Sequence, residues 1–140
     1  MIREIKHSRY LMGNLDYGSD LLNSLTYICE KENIVLGRLE LIGAVQKARI
    51  GYYLQDRNIY TSSELNDPME ITSLTGNISL KDGKPFVHAH INLANAEGNV
   101  LGGHLLEGTV VFAAEFIIQT FEGPEFSRIF DDHTKLALWK

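Results

Sequence analysis

The sequence predicts an α+β fold: a mainly antiparallel β-sheet of about eight strands with one N-terminal helix packed on it. Only one segment, Leu21 to Cys29, repeats its apolar residues at helical spacing. The remainder is a series of segments rich in Val, Ile, Leu and Tyr, separated by Gly, Asn and Asp. With 140 residues the chain has the length of one domain, so we expect residues 1–140 to form a single unit.

The helix and strands are expected in a definite order. The helix should run from Asp20 to about Glu32, because Ser19 is a good N-cap and the apolar spacing begins immediately after it. The segment from Ile34 to Leu54 is either one long bent strand or two strands. The other expected strands are Arg3 to Leu15, Ile59 to Ser62, Met69 to Leu80, Pro85 to Asn95, Val100 to Leu106, Thr109 to Phe121 and Thr134 to Trp139.

Two local signals concern the strand that ends near residue 80. Gly76 lies inside this strand and suggests a β-bulge. Asp82-Gly83 predicts a tight hairpin turn, because both residue types tolerate positive φ. This turn leads directly into the strand that starts at Pro85.

Composition limits the classes of function. The formal charge is −5, and the thirteen Lys and Arg residues are scattered without a run of three. Affinity for a phosphate backbone comes mainly from clustered Lys and Arg, so direct DNA binding by this chain is not expected. The single cysteine, Cys29, excludes an internal disulfide and reads as a buried, inert thiol. No membrane segment or leader sequence is evident, so we expect a cytoplasmic protein.

Three of the five histidines fall within seventeen residues of one another. His88 and His90 are two residues apart in an alternating segment, so a strand projects both from the same face as Asn92. At a rise of roughly 3.3 Å per residue, the two β-carbons lie about 6.6 Å apart. Two imidazoles can close this distance onto one metal ion.

His104 is expected beside this pair. A hairpin loop centred on Glu97 places positions 90 and 104 opposite one another. Gly102 and Gly103 then leave room for a ligand next to the imidazoles. Three neutral imidazoles with an open position are the ligand set of a Zn²⁺ site that binds a small molecule or performs catalysis. The alternative is a group of surface or interface histidines without a metal.

Two further polar residues are candidates for the same site. Glu115 interrupts a long apolar run, where a carboxylate is costly to bury unless it is paired. We therefore consider it as a catalytic proton carrier, a fourth ligand or a partner of a metal-bound histidine. A solvent-facing strand position is the alternative. Asn92 continues the histidine face and is expected either to orient a bound anion or to cap the strand end.

Four motifs together resemble one known family. They are Leu74 to Ser79, Asp82 to His90, Glu97 to Val100 and Gly102 to Gly108, and they resemble the prokaryotic branch of the PPC (plants and prokaryotes conserved) domain. In plant nuclear proteins this domain follows AT-hooks. The resemblance implies an α+β fold, a homotrimer and a DNA-associated role. The fold is also similar to that of acetolactate decarboxylase, a zinc enzyme in which an H-x-H strand and a further histidine match positions 88, 90 and 104.

Three functions remain open at this point. The first is a trimeric protein with a zinc site at His88, His90 and His104 and a role in small-molecule binding or catalysis. Whether the chain is an enzyme is left undecided by the sequence. The second is a DNA-binding or transcription-associated regulatory module, although the chain has no AT-hook of its own and a net charge of −5. The third is an interaction protein without metal or nucleic acid.

Overall fold

The computed structural model describes residues 1–140 and contains one helix and nine strands, all nine in one sheet. The elements are β1 (Lys6–Leu15), α1 (Leu21–Lys31), β2 (Gly37–Leu54), β3 (Ile59–Leu65), β4 (Met69–Lys81), β5 (Lys84–Ala94), β6 (Val100–Leu105), β7 (Val110–Glu122), β8 (Ser127–Asp131) and β9 (Leu136–Trp139). The predicted α+β class and the antiparallel character of the sheet are confirmed. The additional strand is β8, whose five residues are too few to show a clear alternation.

The long strand β2 organises the sheet. Its N-terminal half lies between β4 and β7, and its C-terminal half pairs with β3 and β6. Because β4 also pairs with β5, and β5 with β6, strands β2, β4, β5 and β6 form a closed circuit of hydrogen-bonded neighbours. Of the two readings of Ile34 to Leu54, the single long strand is therefore the observed one. Its register shifts between Leu41 and Gly43, which is where such a strand can bend.

The helix packs its apolar side into the sheet. Leu21, Leu25 and Cys29 are fully buried in a core cluster of 23 residues. Burial of a leucine side chain contributes about 1.5–3 kcal/mol, so this face accounts for much of the stability of the helix. Burial also raises the pKa of the Cys29 thiol to about 12. The thiol therefore stays protonated at neutral pH, as an inert core residue should.

The helix begins one residue later than the sequence pattern suggests. Asp20, not Ser19, is the N-cap: its carboxylate accepts a hydrogen bond from the backbone N–H of Asn23 at 2.9 Å. The other carboxylate oxygen accepts from the N–H of Gly108 at 2.7 Å. A hydroxyl cannot accept two such bonds with separate oxygens, which explains why the aspartate occupies this position. Ser19 instead donates its hydroxyl to the carbonyl of Asp16 at 2.7 Å.

The turn before β5 follows its prediction, whereas the bulge at Gly76 does not. Asp82 and Gly83 have φ values of 52° and 74°, as a two-residue hairpin turn requires. Gly76 pairs regularly with Ala89, so the bulge prediction is wrong. The glycine is needed for close approach, because a Cβ at this position would lie 2.6 Å from the carbonyl oxygen of His88. The fold has no helix long and apolar enough to span a membrane.

Candidate metal centre

Strands β5 and β6 bring the three histidines of the cluster together. The odd-numbered residues of β5 from Val87 to Leu93 are buried, so the even-numbered ones project from the other face. His90 lies directly opposite His104 in the β5–β6 ladder, at the position that the hairpin spacing predicts. The ring centroids of His88, His90 and His104 are 5.0–5.6 Å apart. One nitrogen of each ring lies within 4.8 Å of the others, a spacing at which they can hold a metal ion.

Burial keeps two of the three imidazoles neutral. The pKa of His88 is lowered to about 4, first by burial and then by the charges of Arg128 and the neighbouring histidines. The pKa of His104 is lowered for the same reasons, with burial again the largest cause. Only a neutral imidazole has a nitrogen lone pair to offer to a metal. At neutral pH these two rings are therefore uncharged, as metal coordination requires.

The Nδ1 atom of His104 gives an independent indication of a bound ion. It is buried and has no hydrogen-bond partner. An unpartnered buried polar atom costs about 1–3 kcal/mol, and most such atoms in proteins have a partner. Coordination of a metal by this ring would either give the Nδ1 atom a partner or turn the ring so that this atom finds one. Three imidazole nitrogens are also a donor set that Zn²⁺ prefers. The residues present therefore fit the ion that the sequence predicts.

Arg128 of β8 is a neighbour of the cluster that the sequence does not reveal. Its guanidinium lies 3.2 Å from Nδ1 of His88 and donates to Asn77 Oδ1 at 2.9 Å. It also donates to Ser79 Oγ at 3.0 Å and to the carbonyl of Ala137 at 3.2 Å. No local spacing in the sequence indicates this position, because it depends on the pairing of Lys81 with Arg128, a contact between distant segments.

Asn92, Gly102 and Gly103 lie next to the cluster but have structural contacts of their own. Asn92 is on the histidine face, where its amide donates to Ser73 Oγ at 2.9 Å. A Cβ at Gly102 would lie 2.5 Å from Asn92 Oδ1, and one at Gly103 would lie 2.8 Å from the carbonyl oxygen of Gly51. The two glycines therefore let β6 approach both of its neighbouring strands closely.

Glu115 does not join the histidines within one chain. It is exposed on β7, where it pairs with Asn14 of β1 and Ile42 of β2. Strands β2 and β4 lie between β7 and β5. Glu115 is not among the residues whose ligand atoms converge at the cluster. The sequence could not reveal this separation, because it depends on strand order and not on spacing along the chain.

A cleft of about 550 Å³ opens beside His88 and His90. Its apolar wall includes Phe121, Phe126 and Trp139, and its lining contains no carboxylate. Ligand sites are commonly concave and mainly apolar, with a few polar groups that fix orientation. The cleft therefore provides space for a small molecule with one end at the histidines.

The fold and the cluster define a class of small sheet proteins in which an H-x-H strand and a histidine of the adjacent strand form one site. This chain belongs to the Plants and Prokaryotes Conserved domain family, which it matches over residues 3–122. The predicted family is thus confirmed. A comparison with curated proteins finds no significant match.

Solved structures support the same assignment. A protein from Archaeoglobus fulgidus described as metal-containing is 40% identical, with a TM-score of 0.95 and coverage of 100% of this chain and 99% of its own. A plant- and prokaryote-conserved protein from Pyrococcus horikoshii is 39% identical, with a TM-score of 0.93 and coverage of 98% and 94%. A Bacteroides thetaiotaomicron protein whose name suggests DNA binding is 22% identical, with a TM-score of 0.88 and coverage of 97% and 96%, and shares the fold.

The expected likeness to acetolactate decarboxylase is also found. The enzyme from Bacillus subtilis subspecies spizizenii has a TM-score of 0.58 over 83% of this chain and 53% of its own. The identity is 11%, so the comparison extends to the fold alone.

We predict that Gly103→Ala destabilises the fold by about 1–3 kcal/mol, because the new methyl group would collide with the backbone of β2. Gly51→Ala is the matched control on the facing strand. Its methyl group would first meet the flexible side chain of Leu106, at 3.2 Å. Urea unfolding followed by circular dichroism should show a clearly larger loss for Gly103→Ala. Equal losses would contradict the close β2–β6 approach described above.

Proposed function

We propose that this chain is a homotrimeric metal-binding protein in which His88, His90 and His104 hold Zn²⁺ next to a small-molecule cleft. The observation that carries this proposal is the convergence of three imidazole nitrogens within 4.8 Å. The unpartnered Nδ1 of His104 and the lowered pKa of His88 support it. The description of the Archaeoglobus fulgidus relative as metal-containing agrees with it.

The residues around the cluster suggest what such a site does. A bound Zn²⁺ supplies a Lewis acid that polarises a carbonyl group or activates water. His88 and His104 offer neutral nitrogens at physiological pH because both are partly buried. The aromatic wall of the cleft, which includes Phe126 and Trp139, removes water from the apolar part of a ligand. These features favour binding of a small molecule with an oxygen-bearing end directed at the histidines.

Metal content tests this proposal directly. Protein purified without a nickel column is expected to contain about one zinc per chain, measured by inductively coupled plasma mass spectrometry. His88→Ala and His104→Ala should each reduce this content strongly, because two imidazoles seldom retain the ion. His133→Ala, which changes an exposed histidine elsewhere, is the matched control and should leave the content unchanged. A content far below one per chain that is the same in all four proteins would refute the zinc site.

The exposed apolar surface of β1, β2 and β7 supports the predicted self-association. Met12, Ile42 and Ile117 are 78%, 58% and 39% exposed on neighbouring strands of one face. Contiguous exposed apolar surface of this kind usually marks an interaction site. Glu115 lies on the same face, so a subunit contact here would bury it or pair it with a neighbour. A proton-carrying role for Glu115 would then involve the histidines of another subunit.

Size-exclusion chromatography with light scattering is expected to give three times the chain mass of 15.8 kDa. Ile42→Asp should shift the protein to a smaller species, because a carboxylate in an apolar contact is left without a partner. Ile129→Asp is the matched control, since Ile129 is 52% exposed but lies on the β8–β9 hairpin. A wild-type monomer, or equal dissociation of both variants, would contradict a trimer built on this face.

A DNA-associated role is the second candidate, because the name of the Bacteroides thetaiotaomicron relative suggests it. The charge of −5 opposes direct contact with a phosphate backbone. We expect no retention of duplex DNA at low salt in an electrophoretic mobility assay. Retention of duplex DNA that falls steeply with added salt would instead favour the DNA-associated function over the metal-binding one.

A further inference from the structure

The contact between Arg128 and His88 fixes the tautomer of that histidine. A guanidinium has only donor groups, so the Nδ1 atom 3.2 Å away must accept the hydrogen bond. A neutral imidazole has one nitrogen lone pair and one N–H. In this arrangement the lone pair is engaged by Arg128, and the proton of the ring is on Nε2.

Neither nitrogen of His88 can bind a metal while that hydrogen bond persists. If Nδ1 is the ligand, its lone pair must leave Arg128. If Nε2 is the ligand, the proton moves to Nδ1, which then faces a guanidinium that cannot accept it. Metal-bound histidines normally donate their second N–H to a carboxylate or carbonyl, and here the neighbour is a cation instead. Both routes therefore require Arg128 to move away from the ring.

Arg128 also attaches the C-terminal hairpin to the sheet. The hairpin pairs with β4 at only two positions, Leu80 with Ser127 and Lys81 with Arg128. Four of the five N–H groups of the guanidinium are engaged: by Asn77, Ser79 and His88 of the sheet and by the carbonyl of Ala137 in β9. Loss of the His88 bond would thus remove one of the three hydrogen bonds by which Arg128 holds the hairpin to β4 and β5.

We propose that Arg128 and a metal ion compete for His88, so that metal loading and tight docking of the β8–β9 hairpin oppose each other. This inference rests on the proposed function, since it concerns the same three histidines. The hairpin lies outside residues 3–122, the part that matches the family. The Archaeoglobus fulgidus structure nevertheless covers 100% of this chain, the hairpin included. Coupling of this kind is reciprocal: whatever holds the hairpin down weakens metal binding by the same factor.

The first experiment compares zinc affinities by competition with a chromogenic chelator. Arg128→Met removes the charge and the hydrogen bonds but keeps a long apolar side chain. It should bind zinc roughly 10-fold or more tightly than wild type, because a hydrogen bond to a charged group is worth about one such factor. Arg9→Met is the matched control: it removes an equal charge from an exposed pair with Glu32 and should behave as wild type. Equal or weaker binding by Arg128→Met would overturn the competition.

The second experiment needs no variant and therefore does not depend on how Arg128→Met folds. Trp139 is the only tryptophan of the chain, and the Arg128 guanidinium lies 5.5 Å from its ring centroid. Zinc is redox-inactive, so a change in emission reports the surroundings of Trp139. Titration of the metal-free protein should shift the emission to longer wavelength with the midpoint of zinc binding. Stoichiometric zinc binding with unchanged emission would overturn the coupling. If neither wild type nor Arg128→Met binds zinc, the proposed function fails, and this inference fails with it.

Discussion

The register of β5 between β4 and β6 is the constraint on which the candidate site depends. Four residues of β5, from Val87 to Leu93 at alternate positions, are buried in the core. A slip of one residue would expose all four and bury His88 and His90 in their place. The free energy of the core thus holds the imidazoles on the outer face, although none of them contributes to it. Because β6 pairs with both β2 and β5 in the closed circuit of β2, β4, β5 and β6, its register is fixed with His104 opposite His90.

The histidine cluster and the charged side chain that contacts it are basic. Three imidazoles and the guanidinium of Arg128 share a small volume, and no carboxylate lines the adjacent cleft. Burial and the nearby positive charge both lower the pKa of His88 and of His104, so the neutral form of these two rings is favoured. The same positive charge disfavours a divalent cation. An anionic or oxygen-bearing ligand would relieve that repulsion, which is consistent with a site that binds a metal and a small molecule together.

The parts of this structure that sequence could reveal are those encoded by local spacing. The alternation around His88 and the hairpin distance from His90 to His104 involve fewer than twenty residues, and both gave the correct geometry. Strand order is not encoded in this way. The remoteness of Glu115 results from two strands inserted between β7 and β5. The approach of Arg128 to His88 requires β8 to pair with the C-terminal end of β4. A strand of five residues is too short for its sequence pattern to predict that pairing. The helix N-cap and Gly76 likewise depend on contacts with distant segments, namely Gly108 and the backbone of β5.

Anomalous diffraction above and below the zinc absorption edge tests the central claim most directly. In crystals of protein isolated without added metal, the account predicts one strong anomalous peak per chain, within bonding distance of nitrogens from His88, His90 and His104. The group at the remaining position of the ion would at the same time show what kind of ligand the cleft accepts. Absence of a peak at the three rings, in crystals soaked with zinc as well as in untreated ones, would contradict the account.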